Sequence, residues 1–236
     1  MTNVGDPRYG IEQLRTALDG GLIVSCQATE EEPLFGAEIM AKMALAAVQG
    51  GAVAIRANSP VDVAAIRRVV SVPIIGLWKR DLPGYAVRIT PRLDDALALA
   101  EAGADVIALD ATARPHPEGS ATDLIAAISA RTRVPILADV AVASEAAAAV
   151  EAGAAFAAST LSGYLGGPVP SDPDLELVAA IAAQVGRDRT IAEGRYRTGE
   201  QVAAALRAGA LAVCIGGAIT RPAEITRRVI ADLRAS

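Results

Sequence analysis

The chain has 236 residues, of which 52% are hydrophobic, 21% charged and only 3% aromatic. This composition indicates a well-packed globular fold and excludes a disordered or fibrous protein. One Trp, four Tyr and two Phe residues are too few for a surface that stacks nucleic-acid bases. The net charge of −5 provides no basic surface for nucleic acid or an anionic membrane, so a small molecule is the expected partner.

The N-terminal segment predicts a helix and no targeting signal. Residues 8–19 are typical of a short helix, which we expect to close the floor of the fold. The first residues lack the basic and apolar stretches of a signal peptide, and no apolar run reaches the roughly 18 residues of a membrane span. A cytoplasmic protein is therefore expected, with Cys26 and Cys214 as reduced, buried thiols.

A short phrase recurs along the whole chain, in which Gly-Ala follows an Ala-rich helical segment and precedes an apolar run. Its glycines are Gly51, Gly103, Gly153 and Gly209, at separations of 52, 50 and 56 residues. A glycine in this position is typical of the residue just beyond a helix C-terminus. The pattern predicts four repeats in which a helix ends and a buried strand begins.

Adding the apolar runs between these repeats gives eight predicted strands. They cover residues 22–26, 52–57, 73–78, 105–110, 135–139, 155–160, 190–193 and 211–215. Their nearly continuous apolar character favours parallel strands covered on both faces. Eight strand–helix units predict an α/β fold of the (β/α)8 TIM-barrel type, a single domain over residues 1–236 with the N-terminal helix at the barrel floor.

A doubly wound open sheet is the competing architecture, although the regular repeat favours closure. One segment falls outside the repeat. After the third strand, the sequence YAVRITPRL predicts an extended excursion, followed by a helix that Thr90 caps and Pro91 begins.

The functional residues of such a barrel are expected at the C-terminal ends of its strands. Four of the predicted strand ends carry Arg or Lys, which favours an anionic ligand. The single glycine of IAEGR follows the seventh strand, and the glycine pair of CIGGA follows the eighth. Small residues there would let backbone N–H groups approach a phosphate. The candidates in chain order are Gln27, Arg56, Lys79, Arg80, Asp110, Arg114, Asp139, Glu193, Gly194, Arg195, Gly216, Gly217 and Arg221.

Lys79 and Glu193 are the candidate reactive pair, at the ends of the third and seventh strands. A lysine in a cavity near other cations loses its proton more readily, which would make Lys79 a proton acceptor. Glu193 could act as the partner acid or base, and Asp139 could bind hydroxyl or amide groups. A purely structural ion pair between Lys79 and Glu193 is the alternative.

The sequence disfavours metal and nucleotide chemistry. Its one histidine, His116, lies beyond the fourth strand and is expected to be an exposed loop residue, so a site with several histidine ligands is excluded. The GxSxG, GxxxxGK[ST] and GxGxxG motifs of hydrolases, nucleotide triphosphatases and nicotinamide enzymes do not occur.

Several motifs resemble those of the N-acetylmannosamine-6-phosphate 2-epimerase family of sialic-acid catabolism. They are, in chain order, GLIVSCQA, PLFGAEIMAKMALAA, GGAVAIRAN, IIGLWKRD, ITP, ADVIALDATARPHP, LADV, TLSGY, AEGR and GGAITRP. The resemblance covers essentially residues 20–232. The resemblance implies a (β/α)8 isomerase without metal or organic cofactor. Its substrates would be N-acetylmannosamine 6-phosphate and N-acetylglucosamine 6-phosphate.

The resemblance also implies a role for each matching residue. Lys79 of WKRD would be the catalytic base and Glu193 of AEGR its partner. The positions implied to contact the sugar or order the catalytic pair are Gln27, Arg56, Asp139 and Arg221, and those implied to bind phosphate are Gly194, Arg195, Gly216 and Gly217. The loop LGGPVPSDPD over residues 165–174 departs from the family pattern.

Two other functions remain open at this point. A lysine at a strand end of a phosphosugar barrel could instead form a Schiff base, as in an aldolase or lyase. The barrel could also bind a phosphosugar without turning it over. The Ala-rich helical surface and the C-terminal segment EITRRVIADLRA permit a homodimer.

Overall fold

The computed structural model describes residues 7–235, whose eight parallel strands form a closed barrel in chain order. The strands are β1 Leu22–Cys26, β2 Ala54–Asn58, β3 Ile74–Leu77, β4 Val106–Asp110, β5 Ile136–Asp139, β6 Phe156–Ala158, β7 Thr190–Glu193 and β8 Ala212–Ile215. Pairing of Ile23 with Cys214 joins β1 to β8 and completes the ring. The predicted (β/α)8 barrel is confirmed and the open sheet is wrong.

Helices surround the barrel and one lies beneath it. They are α1 Ile11–Leu18, α2 Ala37–Gln49, α3 Pro60–Arg67, α4 Leu93–Glu101, α5 Ala121–Arg131, α6 Ala143–Glu151, α7 Leu175–Val185, α8 Gly199–Arg207, α9 Gly217–Thr220 and α10 Pro222–Ala235. Short 3₁₀ turns cover Ser159–Leu161, which ends β6 earlier than expected, and Arg187–Arg189. None of these helices is long and apolar enough to cross a membrane.

The four repeat glycines terminate helices, as predicted. Gly51, Gly103, Gly153 and Gly209 have φ angles of 100°, 96°, 115° and 112°. Such angles are readily adopted only by glycine, which has no Cβ to clash with the backbone. Each glycine therefore turns the chain from a helix into the next strand.

Two apolar layers stabilise the barrel. The outer layer packs the sheet against the helices and contains residues such as Ile55 and Leu99. The inner layer fills the barrel and includes Leu14 and Leu18 of α1, which are 0% and 1% exposed. The predicted helix at the barrel floor is confirmed.

The excursion after β3 is a hairpin over residues 78–90. Lys79 and Ile89 pair in an antiparallel bridge at its base. Thr90 does not cap α4, because its hydroxyl donates to Ala108 O at 2.6 Å and accepts the N–H of Trp78 at 3.0 Å. The capping prediction is wrong, since Arg92 precedes α4 and Thr90 instead fastens the hairpin to the barrel.

The two cysteines are free and buried, as expected. Burial raises the pKa of each thiol to about 12. Cys214 belongs to the inner apolar layer and Cys26 to the outer one, so the two thiols face opposite sides of the sheet.

Candidate active site

A cavity of about 530 Å³ opens at the C-terminal ends of the strands. Its wall combines apolar surface with many polar and charged side chains, and several elements around the barrel contribute cations. The polar and glycine residues that line it are Ser25, Gln27, Arg56, Lys79, Arg88, Asp110, Arg114, Thr160, Tyr164, Glu193, Gly194, Gly216, Gly217, Thr220 and Arg221. Eight of the ten predicted site residues are therefore brought together, the exceptions being Asp139 and Arg195.

Arg56 is the centre of an ion-pair network beneath this cavity. Its side chain is 1% exposed and forms ion pairs with Asp139 of β5 and Glu193 of β7. Thr160 adds a hydrogen bond of 2.6 Å from its hydroxyl to Asp139 Oδ1. A buried charge is tolerated where partners of opposite charge surround it, and here they fix Glu193 at the cavity wall.

Glu193 remains partly accessible, with a side chain that is 15% exposed. Its backbone is held by Ser159, whose hydroxyl donates to Glu193 O at 3.0 Å and accepts the Glu193 N–H at 3.1 Å. Among the residues that the structure describes, the carboxylate pairs with Arg56 and not with Lys79. The expected alternative of a structural Lys79–Glu193 ion pair is therefore wrong.

Lys79 presents an amine without a partner to the cavity. Asn58 Oδ1 accepts its backbone N–H at 2.8 Å, but Nζ forms no hydrogen bond or ion pair with any residue between 7 and 235. Burial and, to a smaller extent, the positive charges of Arg56, Arg221 and Arg88 together lower the pKa of Lys79 to about 8, and the opposing effect of Asp139 is smaller. An amine in this state can accept a proton near neutral pH.

Glycines form the wall between the ends of β7 and β8. Gly194 has a φ angle of 115°, which favours glycine at the sharp bend after Glu193. A Cβ on Gly217 would meet the end of the Glu224 side chain, which would have to move to make room for it. The wall therefore exposes backbone where the sequence predicted a phosphate site.

Arg195 does not line the cavity, although Glu193 and Gly194 before it do. Its side chain turns away from the cavity and donates to Asp172 O and Ser162 O, each at 2.6 Å. The guanidinium also lies 5.8 Å from the ring centre of Tyr164. Arg195 thus fastens the loop after β6, and that loop brings Tyr164 to the cavity.

Arg221 lies at the junction of α9 and α10. Glu32, in the loop after β1, pairs with its Nε at 2.9 Å, and Glu224 pairs with Nη1 at 2.9 Å. Gln27 lies five residues before Glu32, and its Nε2 donates to Ser25 Oγ at 2.7 Å. Its Oε1 is buried and has no hydrogen-bond partner among the described residues. A ligand hydroxyl or amide N–H could satisfy that oxygen.

His116 is buried, with 6% of its surface exposed, so the expectation of an exposed loop residue is wrong. Its Nδ1 lies 2.8 Å from Arg114 O and its Nε2 lies 2.9 Å from Asp110 O. The ring thereby supports the loop after β4, in which Arg114 pairs with Asp110 at 2.5 Å. Within residues 7–235, no three His, Cys, Asp or Glu side chains are grouped to hold a metal ion.

Sequence reasoning assigned no role to three residues that line or support the cavity. Arg88 lies in the excursion after β3, Tyr164 in the segment TLSGY, and Glu32 in a run of three glutamates. The excursion after β3 could have indicated a role for Arg88, because loops inserted at the C-terminal ends of barrel strands reach the cavity. Nothing in the run Glu30–Glu32 singles out its last member.

Comparison with known proteins gives consistent results. A family described as "Putative N-acetylmannosamine-6-phosphate epimerase" matches residues 40–235. A curated relative from Caldanaerobacter subterraneus is 46% identical over 220 residues, covering 92% of each chain. One from Escherichia coli is 48% identical over 207 residues, covering 88% of this chain and 89% of the relative. Each of these two relatives is named "Putative N-acetylmannosamine-6-phosphate 2-epimerase".

A solved structure is also similar. The N-acetylmannosamine-6-phosphate 2-epimerase from Clostridium perfringens superimposes with a TM-score of 0.89 at 38% sequence identity. The match covers 96% of this chain and 99% of that one.

Proposed function

The chain belongs to the N-acetylmannosamine-6-phosphate epimerase family, and from this premise we propose how its cavity works. The enzyme is an isomerase that inverts C2 of N-acetylmannosamine 6-phosphate. Inverting that centre gives N-acetylglucosamine 6-phosphate, a conversion that fits the catabolism of sialic acid. We assign the reaction to Lys79 and Glu193.

Proton removal at C2 sets the chemical requirements. In the open-chain sugar, C2 lies beside the aldehyde carbon, so loss of its proton gives an enolate that needs stabilisation. Lys79 supports the role of base because its amine is unpaired, faces the cavity and has a lowered pKa of about 8. Return of a proton to the opposite face of C2 completes the inversion.

Glu193 is proposed as the partner acid or base. Its accessible carboxylate can exchange protons with the ring oxygen or hydroxyl during ring opening, or with C2 during proton return. The ion pair with Arg56 keeps this carboxylate in one orientation. Asp139, which is 0% exposed, acts through Arg56 and does not touch the substrate.

The glycine wall and Arg221 are proposed to bind the 6-phosphate. Backbone at Gly194, Gly216 and Gly217 lines the cavity, and a guanidinium pairs well with a phosphate. Arg195 would contribute its backbone N–H, since its side chain holds the loop after β6. Gln27 would bind the sugar or its N-acetyl group through its unpartnered Oε1.

The single observation that supports this assignment most strongly is the unpartnered, buried amine of Lys79 in a cavity rich in cations. Proton NMR of N-acetylmannosamine 6-phosphate in deuterated water with the purified protein tests it. We expect N-acetylglucosamine 6-phosphate to form with deuterium at C2. Absence of both product and deuterium would overturn the proposal, and irreversible labelling of Lys79 on borohydride treatment with substrate would favour a Schiff-base lyase.

We also propose that the chain works as one domain in the cytoplasm and forms a homodimer through α10. The free, buried cysteines suit a reducing compartment. No residue of α10 is buried, and Val229 and Ile230 are 59% and 41% exposed. An amphipathic helix with exposed aliphatic side chains gains stability by packing against a second copy.

A further inference from the structure

The hairpin after β3 holds Arg88 in a fixed register beside Lys79. The Lys79–Ile89 bridge pairs the two arms, and Arg80 N–H donates to Arg88 O at 2.9 Å. Thr90, with a φ angle of 45°, anchors the base of the hairpin to β4 through its hydrogen bond to Ala108 O. Arg88 therefore lies one residue from the direct partner of Lys79.

The side chain of Arg88 reaches the cavity with a defined orientation. Asp81, on the opposite arm of the hairpin, accepts from Nη2 at 2.8 Å and pairs with Nε at 2.5 Å. Two contacts of this kind restrain a guanidinium more than a single ion pair does. Nη1 is left without a hydrogen-bond partner among residues 7–235, so it can bind a ligand.

The charges around Lys79 come from every side of the cavity. They are Arg56 on β2, Arg88 on the hairpin, Asp110 and Arg114 after β4, Asp139 on β5, Glu193 on β7, and Arg221 before α10. Arg56, Arg114 and Arg221 each pair with carboxylates that are at least half buried. The side chains of Arg88 and its partner Asp81 are 54% and 77% exposed, so solvent screens this ion pair most and Asp81 neutralises Arg88 less than the buried carboxylates neutralise their partners.

The barrel geometry determines which end of the substrate meets Arg88. Phosphate at C6 would lie against the glycine wall at β7 and β8, whereas β3 and β4 are on the opposite side of the ring. With C2 beside Lys79, the C1 end of the open-chain sugar points away from that wall. The oxygen on C1 is thereby directed towards the hairpin.

On the basis of the proposed epimerisation, we propose that Arg88 is a further catalytic residue, which binds the C1 oxygen of the open-chain sugar and stabilises the enolate. As Lys79 Nζ takes the C2 proton, the C–H electron pair forms the C1–C2 double bond. The former carbonyl π pair moves to the C1 oxygen, where the guanidinium compensates the new charge. Proton return reverses these shifts at the opposite face, so no oxidant or reductant is required.

A second effect of the same charge acts on the base. Burial, Arg56 and Arg221 lower the pKa of Lys79, and Arg88 lowers it in the same direction. Removing the Arg88 charge therefore raises the pKa of Lys79, so a higher pH is needed to give the neutral amine. This effect distinguishes electrostatic catalysis from a structural role of the hairpin.

The test compares Arg88→Met with Arg88→Lys in the full-length protein. For Arg88→Met we expect kcat to fall by roughly 100- to 1000-fold, the loss typical of one removed oxyanion contact. The acidic limb of the kcat/KM profile should move to higher pH. Arg88→Lys keeps the charge and should retain the wild-type limb. Arg68→Met is the matched control, because Arg68 is 70% exposed on the outside of the barrel.

The outcomes separate this inference from the proposed function. If the wild-type protein neither epimerises the substrate nor exchanges its C2 proton, the proposed function fails first. If wild type is active and Arg88→Met keeps kcat within twofold with an unmoved pH limb, the role of Arg88 is overturned. A rise in KM alone also overturns it. Thermal unfolding checks the fold, and Arg88→Gln replaces Arg88→Met if that variant is unstable.

Discussion

Glu32 and Arg221 are joined across the seam of the barrel, with Nε 2.9 Å from Oε1 and Nη2 3.2 Å from Oε2. The carboxylate also accepts the backbone N–H of Thr29 at 2.8 Å, which fixes the loop after β1. Both side chains are only partly exposed. Glu32 therefore determines where the guanidinium proposed to bind phosphate is presented.

Replacing Glu32 by Gln should weaken substrate binding without impairing chemistry. The amide cannot balance the Arg221 charge, so the guanidinium loses its preferred orientation, at a cost of about 1 kcal/mol for a partly exposed pair. We expect KM to rise roughly threefold to tenfold while kcat changes little. Steady-state kinetics measure both, with Glu30→Gln as the exposed control. A fall in kcat with unchanged KM would contradict this view.

Lys79→Met should abolish C2 exchange while the protein stays folded. The unbranched methionine side chain is one atom shorter than that of lysine and cannot accept a proton, so exchange should fall by at least about 100-fold. Deuterium incorporation measured by NMR gives the rate, and circular dichroism checks the fold. Lys42→Met, on the exposed side of α2, is the control. Substantial exchange by Lys79→Met would remove this residue from the mechanism.

Activity should increase with pH through the titration of Lys79. Because the pKa of Lys79 is lowered to about 8, the amine is mostly protonated and inactive well below that pH, and mostly neutral above it. The pH profile of kcat/KM should therefore rise with an apparent pKa near 8 in the free enzyme. A profile that is flat from pH 6.5 to 9, each limit being about one to one and a half units from this value, would contradict the assignment.

Leu14→Ala should destabilise the barrel without altering the cavity. Leu14 is fully buried at the floor, on the opposite side from the strand ends that carry the site. Removing its side chain leaves a void in the inner layer, with an expected loss of about 2–5 kcal/mol in the free energy of unfolding. Urea denaturation measures this loss, with the exposed Thr16→Ala as control. An unchanged midpoint would show that α1 does not stabilise the barrel.

The double variant Val229→Glu, Ile230→Glu should be monomeric if α10 forms the dimer interface. Charges introduced on the apolar face would have to be desolvated on association. Analytical ultracentrifugation gives the oligomeric state of both proteins, and Arg227→Glu at an exposed position of the same helix is the control. A dimer that persists in the double variant would place the interface elsewhere.

The fold was predictable because its main determinants are local and repeated. Gly51, Gly103, Gly153 and Gly209 mark the same helix-to-strand turn, and the apolar strands between them need only be counted. Closure follows from that number, since eight parallel units favour a ring. Strand ends then locate the cavity, which is why most of the candidate residues line it.

The partners of the side chains were harder to predict from the sequence, because they depend on contacts between elements that are distant along the chain. Glu193 pairs with Arg56, 137 positions away, where the sequence suggested Lys79 as an alternative. Thr90 fits a capping pattern, yet its hydroxyl donates to a carbonyl of β4. His116 follows β4 in a polar segment, yet it is buried, with its ring nitrogens against Arg114 O of its own loop and Asp110 O at the end of β4. In each case the local sequence pattern indicates the helix, strand or loop to which the residue belongs, but not the direction in which its side chain points.

Closure of β1 on β8 has a consequence for synthesis on the ribosome. The wall that holds Gln27 and Glu32 is made early, but its counterparts Gly216, Gly217 and Arg221 follow the eighth strand and emerge nearly 190 residues later. A nascent chain therefore has an open sheet edge and an incomplete anion-binding wall until β8 and the residues that follow it have been synthesised. Truncation even a short distance before β8 should yield an inactive protein that is prone to aggregation.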